Sequence, residues 1–283
     1  MISSLAIITV NWNSAKFTKA FCENLDRLSF SPFCIVVNND PKESVAMQKL
    51  SKEKRVILET GENKGYSGGI NEGLRYAMKK TDAEFFLIIN NDVSFEEDFF
   101  DILLHGMQAQ EIRSPIIFYM NTNIIQNTGG NISLFLGGTR NCNKNVPLEK
   151  IKEGSPDFLS GCCLLLSRKT IEEVGYFDED YHSYYEDVDF SVRAKRKGYK
   201  LNTLTGAKLW HYHSASTENV PEYKIRMIAR NSILFARKQL SFPRNGLFIF
   251  CSILRGALQH IPKKKRVPFW QGVSEGFSFR FSK

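Results

Sequence analysis

The sequence has no run approaching the roughly 20 consecutive apolar residues that a membrane-spanning helix needs, which predicts a soluble or peripheral protein rather than an integral one. No basic region precedes its first apolar stretch, which stops at Asn11, so a secretory signal is not expected. The six cysteines (Cys22, Cys34, Cys142, Cys162, Cys163 and Cys251) form neither a CxxC pair nor the regular framework of small secreted domains. That usage points to a reducing cytoplasm. The GxGxxG fingerprint of dinucleotide folds is missing. Helix-turn-helix, RRM and finger signatures are missing too, which ranks nucleic acid below other partners.

What is present describes an ordinary globular chain. At 283 residues, with 42% hydrophobic and 24% charged positions, it is long enough for one large α/β domain with an appended helical piece. The formal charge of +8 suggests an anionic partner: a nucleotide diphosphate, nucleic acid or an acidic membrane surface. Charge alone does not choose among them.

Short β-branched apolar runs recur and end in polar groups. Leu5 to Val10 has no polar alternation, as in a parallel strand covered on both faces, and stops at Asn11-Trp12-Asn13-Ser14. Helical spacing over Ala15 to Leu28 leads to a second strand, Phe33 to Val37, ending in Asn38-Asn39-Asp40. A third strand is expected at Val56 to Leu58. Gly61 to Asn71 reads as a glycine-rich loop running into a helix, able to approach a phosphate or to make a plain turn. Phe85 to Ile89 is a fourth strand, closing on Asn90-Asn91-Asp92, an oxygen-rich turn that suits Mg2+ or Mn2+ or serves only as an Asx turn. The alternation predicts an open, mostly parallel sheet with its ligand crevice at the strands' carboxyl ends. Phe95 to Gln108 reads as helix and Ile112 to Phe118 as strand, with short strands and a loop from Asn121 to Ser155.

Phe158 to Leu201 organises the chain. It reads as a strand presenting Gly161, a turn, and an acidic cluster, Glu186-Asp187-Val188-Asp189, that opens a basic helix. In a first helical turn the backbone dipole keeps carboxylates charged, so a proton acceptor there needs burial or neighbouring acids to raise its basicity. N-capping alone is the other reading. Tyr199 to Leu204 and Ala207 to Trp210 are expected as short strands before His211-Tyr212-His213, whose alternate imidazoles can meet a cation. Tyr223 to Leu240 is a basic amphipathic helix and Leu247 to Ile261 a more apolar one. Lys263 to Arg266, Trp270 and a Phe-rich tail follow, a pattern that suits an anionic bilayer or a solvated charge run.

Taken in order, these pieces resemble the inverting family 2 glycosyltransferases of the GT-A fold, in their rhamnosyltransferase-like branch. The likeness runs from about Leu5 to Leu240. It rests on Thr9 to Asn13, Val36 to Asn39, Glu62 to Asn71, Leu87 to Asp92 at the DXD position, Leu159-Ser160-Gly161, Val174 to Glu179, Tyr185 to Asp189 before Arg193, and Trp210-His211. The resemblance implies a GT-A nucleotide-sugar-binding and catalytic domain over residues 1–215 and a C-terminal helical, basic extension over 216–283. It implies a sheet that is Rossmann-like, with helices on both faces. Asp92 and His211 would hold the divalent metal, with His213 the second choice. Asn11, Asn38, Asn39, Asp40, Asn63, Gly65, Asn71 and Asn91 would serve the donor. Asp187, with Glu186 beside it, would be the base.

The resemblance thus implies transfer of rhamnose or a hexose from a dTDP or UDP donor to a hydroxyl of a bacterial surface polysaccharide or lipid-linked saccharide, at the inner face of a membrane. A homo-oligomer is compatible with it. Two departures stand out: Asn38 occupies a position where relatives carry Asp, and Asn90-Asn91-Asp92 leaves one formal charge for the metal. A non-catalytic nucleotide-sugar-binding subunit of a polysaccharide assembly complex is the alternative. A nucleotidyltransferase is a third, disfavoured because the chain lacks an N-terminal glycine- and lysine-containing triphosphate loop.

Overall fold

The computed structural model describes residues 4–151, 154–212, 221–258 and 263–281; His213 lies outside them. The chain begins β1 (Leu5–Asn11), α1 (Ala15–Leu25), β2 (Phe33–Asn38), α2 (Ser44–Gln48) and β3 (Arg55–Glu59). The unbroken apolar runs form strands because both faces are covered: Ala6, Ile7, Ile8, Ile35, Val36 and Val37 are wholly buried. α1 is shorter than its periodicity predicts.

α3 (Gly65–Lys80) follows, and it absorbs most of the expected glycine-rich loop. Its glycines serve packing. A Cβ at Gly69 would stand 2.9 Å from the Asn39 amide and 3.0 Å from Val10, and one at Gly73 would overlap Ile8. The helix therefore lies tight against β1, an approach that side chains at Gly69 and Gly73 would forbid.

Next come β4 (Phe85–Ile89), β5 (Val93–Phe95), α4 (Phe99–Leu104), β6 (Glu111–Tyr119), β7 (Ile125–Asn127) and a hairpin of β8 (Gly130–Ser133) with β9 (Gly138–Asn141). The helix expected over Phe95 to Gln108 shrinks to α4, because residues 93–95 pair with a later strand and Phe95 instead stacks on Phe99 at 5.2 Å. The chain continues with β10 (Cys163–Ser167), α5 (Arg168–Val174), α6 (Glu186–Arg196) and β11 (Lys200–His211). β11 is one bulged strand, not two; its register against β6 shifts between Leu204 and Lys208.

The main sheet has the order β3-β2-β1-β4-β10-β6-β11-β5, with β7 on β6. It is parallel across β3-β2-β1-β4 and in β6-β11, while β10 runs antiparallel between β4 and β6, and β5 antiparallel to β11. The strand expected to present Gly161 begins two residues after it, at Cys163. β10 starts at the edge where its antiparallel neighbours β4 and β6 end, so Gly161 still reaches the crevice. One core layer, with Phe21, Leu25, Phe99 and Leu103, packs α1 and α4 on one face of the sheet. The other, with Ile70, Leu74, Ile171 and Phe190, packs α3, α5 and α6 on the opposite face.

Three helices follow, α7 (Pro221–Gln239), α8 (Arg244–Leu258) and α9 (Lys263–Ser278). Lys263 to Trp270, expected as a charge run and tail, belong to the last. Among the described residues no helix is long and apolar enough to cross a membrane.

Candidate active site

A cavity of about 580 Å3 opens at the carboxyl ends of β1, β2 and β4 and is walled on the far side by the start of α6 and by α7. A larger cavity, about 990 Å3, lies at the amino ends of the same strands, lined by residues such as Leu5, Phe33 and Ala83. Chemistry, not size, distinguishes the first, since ligands of such sheets collect where the strands end.

Topology brings its first pair together. β4 stops at Ile89, residues 90–92 turn, and β5 pairs with β11 so that Val93 faces His211. The Asp92 Oδ1 and His211 Nε2 atoms consequently sit 3.2 Å apart, both residues lining the cavity. Gln126, on β7, meets His211 Nδ1 at 2.7 Å; taking its oxygen as acceptor makes Nδ1–H the donor and turns Nε2 toward Asp92 and the Asn90 amide, 3.3 Å away. Burial opposes charge on this ring, yet its pKa is raised above 6.5, with Cys162 and Asp92 as the opposing neighbours. Burial also raises the pKa of the Cys162 thiol, so it stays neutral near pH 7, and the Asp92 carboxylate is the partner that matters.

This donor set fits a divalent cation. Adjacent ligands of an octahedral ion at about 2.1 Å stand roughly 3.0 Å apart, close to the observed spacing. Among the described residues no group of three or more His, Cys, Asp or Glu side chains could hold a metal. A cation there would have Asp92 and His211 as its protein ligands and would take its other positions from water and substrate oxygens, as Mg2+ prefers.

The second pair opens α6. Asp187 accepts hydrogen bonds from the Gly161 amide at 2.9 Å and the Val188 amide at 2.8 Å. Gly161 in turn accepts the Tyr66 hydroxyl at 2.6 Å. Glu186 is buried, and among the described residues its Oε2 atom has no hydrogen-bond partner. Both carboxyls are raised above their ordinary values by burial, Glu186 well above and further so by the Asp187 charge. The amides oppose that effect at Asp187. Unequal environments thus assign the proton to Glu186 and the charge to Asp187. Asp189 faces away, bonded to Tyr181, Arg193 and Gln239 at 2.6–3.2 Å.

The linkage has a definite sign. A carboxyl whose folded pKa lies above its unfolded 4.5 binds more protons when folded, so its contribution is fully present below pH 4.5 and is lost as pH rises through the folded value. Glu186→Gln is expected to flatten this part of the melting-temperature profile above about pH 4.5 and to leave the variant relatively more stable at the alkaline end. Thermal denaturation at a series of pH values measures it; parallel profiles would contradict the raised pKa.

The approach to α6 is strained. His182, Tyr184 and Tyr185 have φ of 60°, 66° and 73°, a region non-glycine residues seldom occupy. Asn231 of α7, wholly buried, holds the segment by donating its amide to the carbonyls of Tyr181, Ser183 and Tyr184 at 2.7–2.8 Å. Asn231→Ala strands these carbonyls and should cost about 1–3 kcal/mol, measured by urea unfolding. A loss under about 0.5 kcal/mol, the range of an ordinary surface change, would contradict the clamp.

Of the expected donor residues, Asn39, Asn63, Gly65 and Asn91 line the cavity. Asn39 donates to the Gly65 carbonyl at 2.7 Å, while its buried Oδ1 has no partner among the described residues. The Asn63 side chain caps the Gly65 amide at 2.9 Å, and the Asn91 amide is committed to Ser14 and Thr18. Asn11, Asn38, Asp40 and Asn71 do not line it. Asn11 and Asn38 bond each other at 2.8 Å and reach Glu43 and Glu59, a part-buried ladder joining two strand ends. Asp40 caps the turn at Lys42, and Asn71 clamps the Phe177 backbone. Trp12, Tyr66, His182, Tyr184, Tyr223 and Lys224 line the cavity without having been expected there. Two of them come from α7, so the C-terminal helices help to build the site.

The profile described as glycosyl transferase family group 2 matches residues 85–230, just over half of the chain. This chain belongs to that family. The glycosyltransferase is 25% identical over 82% of its length to a low-salt glycan biosynthesis hexosyltransferase of Haloferax volcanii, covering 77% of that protein. It is 23% identical over 83% of its length to an N-acetylglucosaminyl-diphospho-decaprenol L-rhamnosyltransferase of Mycobacterium tuberculosis, covering 84% of it. Among solved structures, a Pyrobaculum calidifontis mannosyltransferase in complex with GDP-Man and Mn2+ matches 97% of this chain and 74% of its own, with a TM-score of 0.60 at 11% identity. S. aureus TarS with UDP-GlcNAc matches 96% of this chain and 80% of its own, with a TM-score of 0.57 at 12% identity. The fold is GT-A, with its large mixed sheet and C-terminal helices.

Proposed function

We propose that this glycosyltransferase moves rhamnose or a hexose, with inversion, from a dTDP or UDP donor to a hydroxyl of a saccharide or lipid-linked saccharide at the cytoplasmic face of a bacterial membrane. The observation that carries the reading is that Asp187 and the Asp92–His211 pair line one cavity large enough for a sugar and a diphosphate. The rhamnosyltransferase and hexosyltransferase relatives support the sugar classes, and the diphospho-decaprenol in the name of one supports a lipid-linked acceptor.

In this reading Asp187 takes the proton of the acceptor hydroxyl as that oxygen bonds to the anomeric carbon, on the face opposite the departing diphosphate. The bond from the anomeric carbon to the diphosphate oxygen breaks, and its electron pair leaves with the diphosphate. Such a base contributes about 10²–10⁴-fold. Asp92 and His211 would hold Mg2+ or Mn2+, which when bound neutralises charge on the leaving group. Asn39, Asn63 and Gly65 border the donor, and Tyr184, Tyr223 and Lys224 face the acceptor side. Residues 1–215 and the C-terminal helices act as one catalytic unit.

The test is a thermal-shift panel of UDP, dTDP and GDP with and without Mn2+, followed by product analysis with the nucleotide sugar of the stabilising base. Stabilisation by UDP or dTDP and formation of the inverted glycoside are expected. Selective stabilisation by GDP would overturn the donor assignment, and nucleotide binding without turnover would favour a binding subunit.

A further inference from the structure

Charge is distributed unevenly along the chain. Residues 241–283 contain eight Lys or Arg and a single Glu, so they carry +7 of the formal +8, and the first 240 residues are nearly neutral. The same segment exposes a stripe of large apolar side chains. α8 buries Phe248, Ser252 and Gly256 on one face and exposes Leu247 (39%), Phe250 (64%), Leu254 (44%) and Leu258 (68%) on another, at i, i+3, i+7 and i+11. The hairpin turn packs on α8 at Gly137 and sets exposed Phe135 and Leu136 beside it. α9 crosses α8 where Phe269 meets Gly256, and it exposes Val267, Trp270 and Phe277.

Single exposed apolar residues are ordinary, but a run of them along neighbouring elements marks a contact surface. From this placement we infer that α8, α9 and the hairpin turn form the surface by which the enzyme binds an anionic phospholipid bilayer. Charge selects this occupant. A second copy would set one +7 segment against another, whereas anionic headgroups complement the charge of this segment. Geometry sets the depth: α8, with 15 residues, reaches about 22 Å, short of the roughly 30 Å hydrocarbon core, so it lies in the interface with its stripe toward the acyl chains. Phe248, behind that stripe, packs in one cluster with Phe235 and Tyr185, the residue preceding the site carboxylates. The membrane face thus adjoins the acceptor side of the cavity. Its purpose rests on the proposed lipid-linked acceptor, but binding itself requires neither donor nor acceptor.

The experiment is co-sedimentation of the full chain with vesicles of phosphatidylcholine alone or with about 30 mol % phosphatidylserine. Partition at least about ten-fold higher onto the anionic vesicles is expected, weakened by salt. The double variant Phe250→Glu, Leu254→Glu should lose about ten-fold or more of it, with melting temperature and nucleotide-induced thermal shift unchanged. Equal partition onto both vesicles, or undiminished binding by the variant, overturns the proposal. So does a wild-type dimer in solution that the variant converts to monomer, which would assign the stripe to a second copy. Vesicle binding without sugar transfer would sink the functional reading and uphold this one; transfer to a water-soluble acceptor without vesicle binding would do the reverse.

Discussion

Asp187→Asn is expected to lower kcat by about 10²–10⁴-fold, roughly 3–5 kcal/mol, while the affinity for the nucleotide donor stays within about two-fold. The asparagine is nearly isosteric. Its carbonyl oxygen can still accept the Gly161 or the Val188 amide, one of the two bonds that position residue 187. What it loses is basicity. The environment explains why that loss should be large. Burial raises the basicity of the Asp187 carboxylate, which the helix dipole and two amides alone would weaken, and Glu186 beside it, raised further, is the more readily protonated of the two. Steady-state kinetics and donor binding, measured on the same preparation, separate the effects. Equal losses in donor affinity and turnover would mean that residue 187 binds the donor rather than deprotonating the acceptor.

Asp92→Ala should be comparably severe, at about 10²-fold or more in kcat/KM, several kcal/mol of transition-state stabilisation. Asp92 is the sole formal negative charge in its turn, and its oxygen stands 3.2 Å from His211 Nε2. Removing it leaves an imidazole as the remaining predicted ligand, too little to recruit Mg2+. A readout independent of turnover is the increment that Mn2+ adds to the thermal shift by UDP or dTDP. That increment should vanish in the variant and on chelation of the wild type, while the shift by nucleotide alone persists. An undiminished Mn2+ increment would remove Asp92 from the metal site.

Much of this arrangement is legible from sequence because the GT-A sheet writes itself in local patterns. Runs such as Leu5 to Val10 and Phe85 to Ile89 can bury both faces only as inner strands, and the polar residues after them fall at the crevice. Contacts between distant segments are less visible. Gln126 lies on a three-residue strand with no periodicity, yet it orients His211. Asn231 reads as one polar residue in an amphipathic helix, and only the folded chain shows it holding three carbonyls ahead of the carboxylates. Asn11 and Asn38 show another side of the same problem: amides at strand ends suggest ligand contacts, and only the folded chain shows them bonded to each other and to two glutamates. The glycines after Asn63 are ambiguous in isolation, since a phosphate cradle and a helix packed tight on a strand demand the same absence of Cβ.

The central claim, that Asp187 and Asp92 act on one bound nucleotide sugar, is tested most directly by a crystal structure of the Asp187→Asn variant with intact donor and Mn2+. The diphosphate is expected beside Asp92 and His211, with the anomeric carbon facing residue 187 across the cavity. A nucleotide seated in the larger cavity at the strands' amino ends, or a sugar pointing away from residue 187, would contradict it.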